Sequence, residues 1–286
     1  MKAIILLILI TSGSTLAQNI RNMAPCWSPD GKEIAYYSNR DGNNEIYILN
    51  LDNGDNRRIT NNNRSDVLPK FSPNGLRLVF FSGEKGAHQI SVINLQDKSE
   101  TLLTGIEANH EDPNWINDSL IIYNSDKSGN FEIYSQHIKN RSEKRLTNDS
   151  LRDFTPDVSP DRSKVIFVRG ELGKETALYT MNLDGSDQQK LSLIKNAYTP
   201  VWSPNGKQIF YMHRGSESND IYVWSPELNV VKQITNDQAN DIFPAVSPNG
   251  KKLAFSSKRD TGSYEIYIMD IKSKEIKRLT FDSKQE

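Results

Sequence analysis

The sequence predicts an all-β fold, a six-bladed β-propeller, and three markers that keep one beat along the chain carry that prediction. The first is a proline-led segment, spaced by 43 or 44 residues: PCWSPDG from Pro25, PKFSPNG from Pro69, PNWINDS from Pro113, PDVSPDR from Pro156, PVWSPNG from Pro200 and PAVSPNG from Pro244. The second is a Leu or Ile followed by Thr or Ser, ending at Thr60, Thr104, Thr147, Ser192, Thr235 and Thr280. Between them lies the third, Glu45-Ile46-Tyr47, with counterparts at Glu132-Ile133-Tyr134, Asp220-Ile221-Tyr222 and Glu265-Ile266-Tyr267.

Each unit reads as four short strands. The first carries Pro-x-aromatic (Trp27, Phe71, Trp115, Trp202) and ends in Ser-Pro-Asp/Asn-Gly. That tetrapeptide suits a tight turn, because proline presets φ, Asp or Asn accepts local hydrogen bonds and glycine takes φ > 0. The second strand is apolar on both faces, as in IAYY from Ile34 or LVFF from Leu78, so both faces must be covered. A polar turn such as Arg40–Asn44 leads to the Glu-Ile-Tyr strand. A turn at Asp52-Asn53-Gly54 or Asp184-Gly185 then leads to a short charged strand, a common defence for an exposed sheet edge. Four-stranded units of this length, stacked radially, make propeller blades, whereas the coils of a linear β-solenoid are usually shorter. The first unit starts with an inner strand and the last ends with an outer one. Each blade should therefore be contiguous in sequence, with blades one and six meeting by side-chain packing.

The 286 residues are 36% hydrophobic and 25% charged, with a formal net charge of −1. This composition supports a sizeable core and offers no basic surface for nucleic acid. Lys2, the apolar run Ala3–Ile10 and Thr15-Leu16-Ala17 read as a signal peptide over residues 1–17, cleaved after Ala17. The run is far short of the roughly 20 residues of a membrane span. A single propeller domain over residues 18–286 is expected to follow. The one cysteine, Cys26, can form no intrachain disulfide and reads as a small buried hydrophobe.

The string from Pro25 to Tyr47 resembles the repeat of TolB-type propellers, also present in the propellers of prolyl-oligopeptidase relatives. The resemblance spans essentially the whole chain after residue 17. It implies a propeller that binds an envelope protein. TolB-type proteins carry a further domain ahead of the propeller, and this sequence reads as the propeller without it. Units three and four depart from the repeat, with Ile-Asn-Asp-Ser and with Arg162 in place of glycine.

Several candidate chemistries lack their signatures. No G-x-S-x-G elbow occurs, Gly170–Lys174 has the wrong spacing for a phosphate loop, and the Asp/Asn/Gly clusters do not match a calcium loop. The histidines His88, His110, His137 and His213 show no metal-ligand spacing. His110-Glu111-Asp112 is the densest group of ligand types. On an extended strand His110 and Asp112 would share a face, making them the weak candidates for a metal. Three residues before each repeat proline stand Asn22, Asp66, His110, Asp153, Ala197 and Asp241. Innermost strands line a propeller channel, so Asp66, His110, Asp153 and Asp241 are candidates for a ring at the channel mouth. Such a ring would either attract cations or basic groups, or cap the backbone locally.

The function expected from these readings is a non-enzymatic, monomeric, periplasmic or secreted scaffold. It would bind a protein, peptide or envelope polymer on a face built from the long connections Asn61–Leu68, Gly105–Asp112, Asn148–Thr155, Leu193–Thr199 and Asn236–Phe243. No catalytic residue or cofactor is expected, apart from the option of a channel-bound metal cation. The alternative is a metal-assisted carbohydrate lyase or hydrolase with its site at the channel mouth.

Overall fold

The computed structural model describes residues 19–171, 173–260 and 262–281; the signal-peptide assignment lies outside them. Six four-stranded antiparallel sheets follow one another, each built from consecutive strands. Blade one comprises Asn22–Trp27, Glu33–Ser38, Glu45–Asn50 and Asn56–Arg58. Blade six closes the ring with Asp241–Val246, Lys252–Ser257, Glu265–Asp270 and Ile276–Arg278. The only helical element among the described residues is one 3-10 turn, Pro226–Leu228.

The Ser-Pro-Asp/Asn-Gly segment makes the turn between the first and second strands. Ser28 Oγ donates to Asp30 Oδ1 (2.6 Å) and accepts from Glu33 N (2.9 Å), and Gly31 sits at φ 72°. Ser72, Ser159, Ser203 and Ser247 repeat the arrangement. Arg162 holds the glycine position of blade four at φ 60°, so the turn survives the departure in sequence. In blade three the turn motif is lost, and the inner strand lengthens to His110–Asn117.

The second strands are apolar because the blades pack against both of their faces. Ile34, Ala35 and Tyr36 are fully buried, as are Leu78, Val79 and Phe80. Burying each such side chain contributes about 1.5–3 kcal/mol. Each apolar cluster spans two neighbouring blades. Ala35, Ile46 and Ile48 of blade one meet Phe71, Leu78 and Phe80 of blade two.

The seam between blades six and one is built like the other junctions. Trp27, Ile34 and Tyr36 pack on Ala245, Ala254, Ile266 and Ile268. Trp27 Nε1 donates to Ala245 O (3.0 Å), as Trp115 Nε1 donates to Lys70 O (3.0 Å) between blades three and two. No strand crosses the seam, as the phase of the repeat predicts. Backbone bonding supplements the expected packing: Asn22 N donates to Tyr264 O (2.8 Å), the counterpart of Asp66 N to Asn44 O (2.8 Å).

Because the seam is packed like its neighbours, Ile266→Ala at the seam and Leu78→Ala between blades one and two should destabilise alike. Each should cost about 2–5 kcal/mol in urea unfolding, with one cooperative transition. A seam variant that costs far less would show that closure is weaker than the other junctions.

Candidate binding site at the propeller channel

The inner strands do not run as simple alternating ribbons. Each carries one extra residue before the repeat proline, as in the register step between Met23–Tyr37 and Cys26–Ala35. The residue next to each proline is left-handed: Ala24 (φ 55°), Leu68 (54°), Asp112 (50°), Thr155 (50°), Thr199 (46°) and Phe243 (54°). A bulge of this kind breaks the two-residue alternation and re-aims side chains. Here it turns these six residues and the six prolines toward a narrow central cavity, with about 60 Å³ of room for solvent centres.

Most of the cavity's polar groups come from blades two to five. Lys70, Asn114 and Asp157, each directly after a repeat proline, line it together with Asp112, Thr155 and Thr199. Asn114 Nδ2 donates to Asp157 Oδ1 (2.6 Å), and Trp202 N donates to Asp157 Oδ2 (2.8 Å). Burial pushes both carboxyls up, Asp112 to about 7 with Glu111 adding to the rise, while the Lys70 charge pulls both back. The hydroxyls of Thr155 and Thr199 are buried without a hydrogen-bond partner. The cavity is thus a proline-walled, largely apolar socket that also presents one lysine, two aspartates and two unsatisfied hydroxyls.

The residues singled out from sequence lie elsewhere. Asp66, Asp153 and Asp241 are fully buried between blades and do not form an open negative funnel. Asp66 binds Ser82 and Asn62, Asp153 accepts from Arg169 Nε (2.6 Å), and Asp241 Oδ2 accepts from Arg259 Nη2 (2.8 Å). Desolvation pushes all three carboxyls up. Asn22 occupies the equivalent place in blade one, donating to Glu265 Oε2 (2.7 Å). His110 is buried edge-on against Tyr123, with ring centroids 5.8 Å apart, and neither ring nitrogen has a partner. Burial lowers its pKa. The shared face expected for His110 and Asp112 does not form, because the bulge falls between them and sends Asp112 into the channel. Among the described residues no group of three His, Cys, Asp or Glu is placed to hold a metal ion. Cys26 is half-buried against the cluster between blades one and two, and burial pushes its thiol up.

Around the channel the blades are tied by a second polar layer. Glu45, Glu132 and Glu265 at the start of the third strands are fully buried. Each is clasped by the arginine of the outer strand: Arg58 (2.9 Å), Arg145 (2.8 Å) and Arg278 (2.9 Å). Each also accepts from the marker threonine, Thr60, Thr147 or Thr280. The same threonine Oγ1 accepts the backbone N–H of the third-strand isoleucine (2.9 Å), which explains why the two sequence markers stay in phase.

The geometry defines a propeller scaffold with a closed ring and a narrow, proline-walled socket on its axis that holds a few polar groups. A family model described as a TolB beta propeller domain matches residues 3–197 and 174–286, and the chain belongs to that family. A TolB homolog from Chlorobium luteolum is 29% identical over 156 residues, covering 54% of this chain and 34% of the relative. The chain thus spans about a third of that curated relative's length. An uncharacterized protein of Agrobacterium fabrum is 24% identical over 74% of this chain and 62% of its own length. Among solved structures, TolB from Acinetobacter baumannii is similar with a TM-score of 0.69 at 24% identity, over 78% of this chain and 56% of that one. An oligogalacturonate lyase in complex with manganese is similar with a TM-score of 0.62 at 16% identity, over 91% and 77%. These structural likenesses describe the fold alone.

Two outcomes follow from the buried carboxyls. The native Asp112 carboxyl keeps its proton to about pH 7, whereas an unfolded aspartate loses it near 3.9. The native state therefore binds more protons between those values, and stability falls as pH rises through that window. Asp112→Asn should stabilise the protein at pH 8 and change little at pH 4 in paired urea titrations. Arg145→Met, which leaves Glu132 buried and uncompensated, should cost about 3–5 kcal/mol. The paired change Glu132→Gln with Arg145→Met should cost less, which a double-mutant cycle with the two single variants would measure.

Proposed function

We propose that this chain is a non-enzymatic, periplasmic scaffold that captures a protein or peptide on its loop face. The observation that carries the reading is apolar exposure on two neighbouring connections of that face. Ile106 is 68% exposed between blades two and three, and Leu151 is 41% exposed between blades three and four. Their setting favours binding, because the connections are held by side-chain hydrogen bonds and need little ordering on contact. Asn130 Nδ2 donates to the carbonyls of Asp149 (3.0 Å) and Leu151 (2.9 Å), and Gly86 N donates to Asn109 Oδ1 (2.8 Å). Binding residues concentrate on connections carried by a rigid scaffold.

Membership of a TolB-type family supports an envelope protein as the partner. The reading includes export through the apolar N-terminal segment, which rests on the sequence, and action as a monomer. No helix among the described residues is long and apolar enough to cross a membrane. The reading requires no cofactor. A metal-assisted lyase or hydrolase would need at least three convergent ligands, and among the described residues no such group assembles.

The test is affinity capture from an envelope fraction, with the mature chain and the variant Ile106→Asp/Leu151→Asp as paired baits. Both substitutions sit on the surface and should change stability by less than about 0.5 kcal/mol each. The expected result is a discrete partner retained by the parent and lost by the variant, with equal thermal melts. Equal retention on both baits would refute this face.

A further inference from the structure

The clasp on the third-strand acid has a fixed form in blades one, three and six. Each guanidinium is forked, with Nη2 on the glutamate and Nε on the carbonyl oxygen of the marker threonine. The Nε bonds are 2.8 Å for Arg58–Thr60, 2.7 Å for Arg145–Thr147 and 2.7 Å for Arg278–Thr280. Blade five keeps the acceptors and lacks the donor. Asp220 stands where the glutamate stands, Thr235 is the marker threonine, and Gln233 replaces the arginine and is exposed.

A cavity opens at this place, lined by Glu217, Ser218, Asp220, Asn236, Asp237 and Gln238, with about 540 Å³ of room for solvent centres. Aspartate is one methylene shorter than glutamate, and its contacts are correspondingly loose. Thr235 Oγ1 lies 3.3 Å from Asp220 Oδ1, against 2.6 Å for Thr147 and Glu132.

The neighbouring blade carries an independent sign of the same deficit. At the three junctions that follow a clasped blade, the residue three before the repeat proline faces the acid–threonine pair of the preceding blade. Asn22 bonds Glu265, Asp66 meets Thr60 and Glu45, and Asp153 meets Thr147 and Glu132. Asp241 occupies this position toward blade five and is fully buried. Its Oδ2 accepts from Arg259, which also binds Asp237 (3.0 Å), while its Oδ1 has no hydrogen-bond partner. Asp237 and Asp241 therefore share one arginine beside a slot that also presents Glu217 and Asp220, and a buried carboxylate oxygen of Asp241 is left unsatisfied.

We propose that the slot between blades five and six binds a guanidinium group from outside the chain, an arginine side chain of a bound protein or peptide. The acceptor pair, a carboxylate beside a carbonyl oxygen, is the one that three sister blades match with a guanidinium fork. A planar fork satisfies it better than the point charge of an ammonium. The inference gives the chemistry of one partner contact and rests on the loop-face reading, because the slot opens among the connections of that face.

The test uses agmatine, a small free guanidinium, so its outcome does not depend on finding the partner. Agmatine titrated into the 15N-labelled mature chain should shift the amides of Ser218, Asp220 and Asn236 saturably. Cadaverine, the ammonium counterpart, should bind about tenfold more weakly. Gln233→Arg with Asp220→Glu rebuilds the sister clasp and should abolish the response while raising the melting temperature. Asp220→Asn should weaken agmatine about tenfold without filling the slot. No saturable shift in the parent, an undiminished shift in the rebuilt variant, or a response to calcium chloride in place of agmatine would each overturn the proposal. Agmatine binding by a chain whose Ile106→Asp/Leu151→Asp variant still captures its partner would refute the docking face and leave the slot standing.

Discussion

A carboxylate taken fully out of water must be matched on the spot, and three of the six blades meet that requirement in one way. Glu45, Glu132 and Glu265 are each met by an arginine, a threonine hydroxyl and, in two cases, a backbone N–H from the next connection (Asn62 at 3.0 Å, Asp149 at 2.8 Å). Breaking one partner of such a group costs several kcal/mol, so the clasp admits little drift. It joins the third strand, the outer strand and the connection to the following blade. In blades two and four, where the acid is absent, the arginine is absent too: Gln89 goes with Leu102 and Thr176 with Lys190, whereas blade five keeps an acid, Asp220, with Gln233 in the arginine's place.

Beneath that polar layer lies an aromatic one. Tyr36 stacks on Tyr47 (5.8 Å), Tyr123 on Tyr134 (6.0 Å) and Phe255 on Tyr267 (6.0 Å), joining second and third strands of one blade. Arg40 and Arg259 lie over the first and last of these pairs while bonding Asn22 and Asp241, and Arg169 lies over the stacked Phe167–Tyr179 pair (5.7 Å) while bonding Asp153. One side chain thus serves two layers, through cation–π contact and a charge-assisted bond. The result is a frame that holds its loop face still, which suits capture of a partner with little ordering cost.

Blade number, contiguous blades and the turn chemistry were legible in the sequence because each depends on a local pattern repeated six times. The channel lining was not. An alternation rule places His110 and Asp112 together and sends the Asp66 column to the axis, but one left-handed residue before each proline shifts the phase between them. The column directly after the prolines, Cys26, Lys70, Asn114, Asp157, Val201 and Ala245, stands in the same alignment and holds three of the channel's polar groups. Its mixed polarity was the available signal. Likewise the Glu-Ile-Tyr and Leu/Ile-Thr markers read as separate rhythms until the threonine hydroxyl is seen bridging them.

The partners in each clasp are thirteen residues apart, within one blade. An interaction that holds the junction is therefore encoded wholly inside a single repeat. A gene that lengthens or shortens by whole repeats carries acid and arginine together and never strands a buried charge. Single-site change is the hazardous route, since either loss alone leaves a lone ion in the interior. The six units can thus diverge most readily by exchanging matched pairs, and the uncharged third-strand positions of blades two and four, which lack acid and arginine alike, fit a history of that kind.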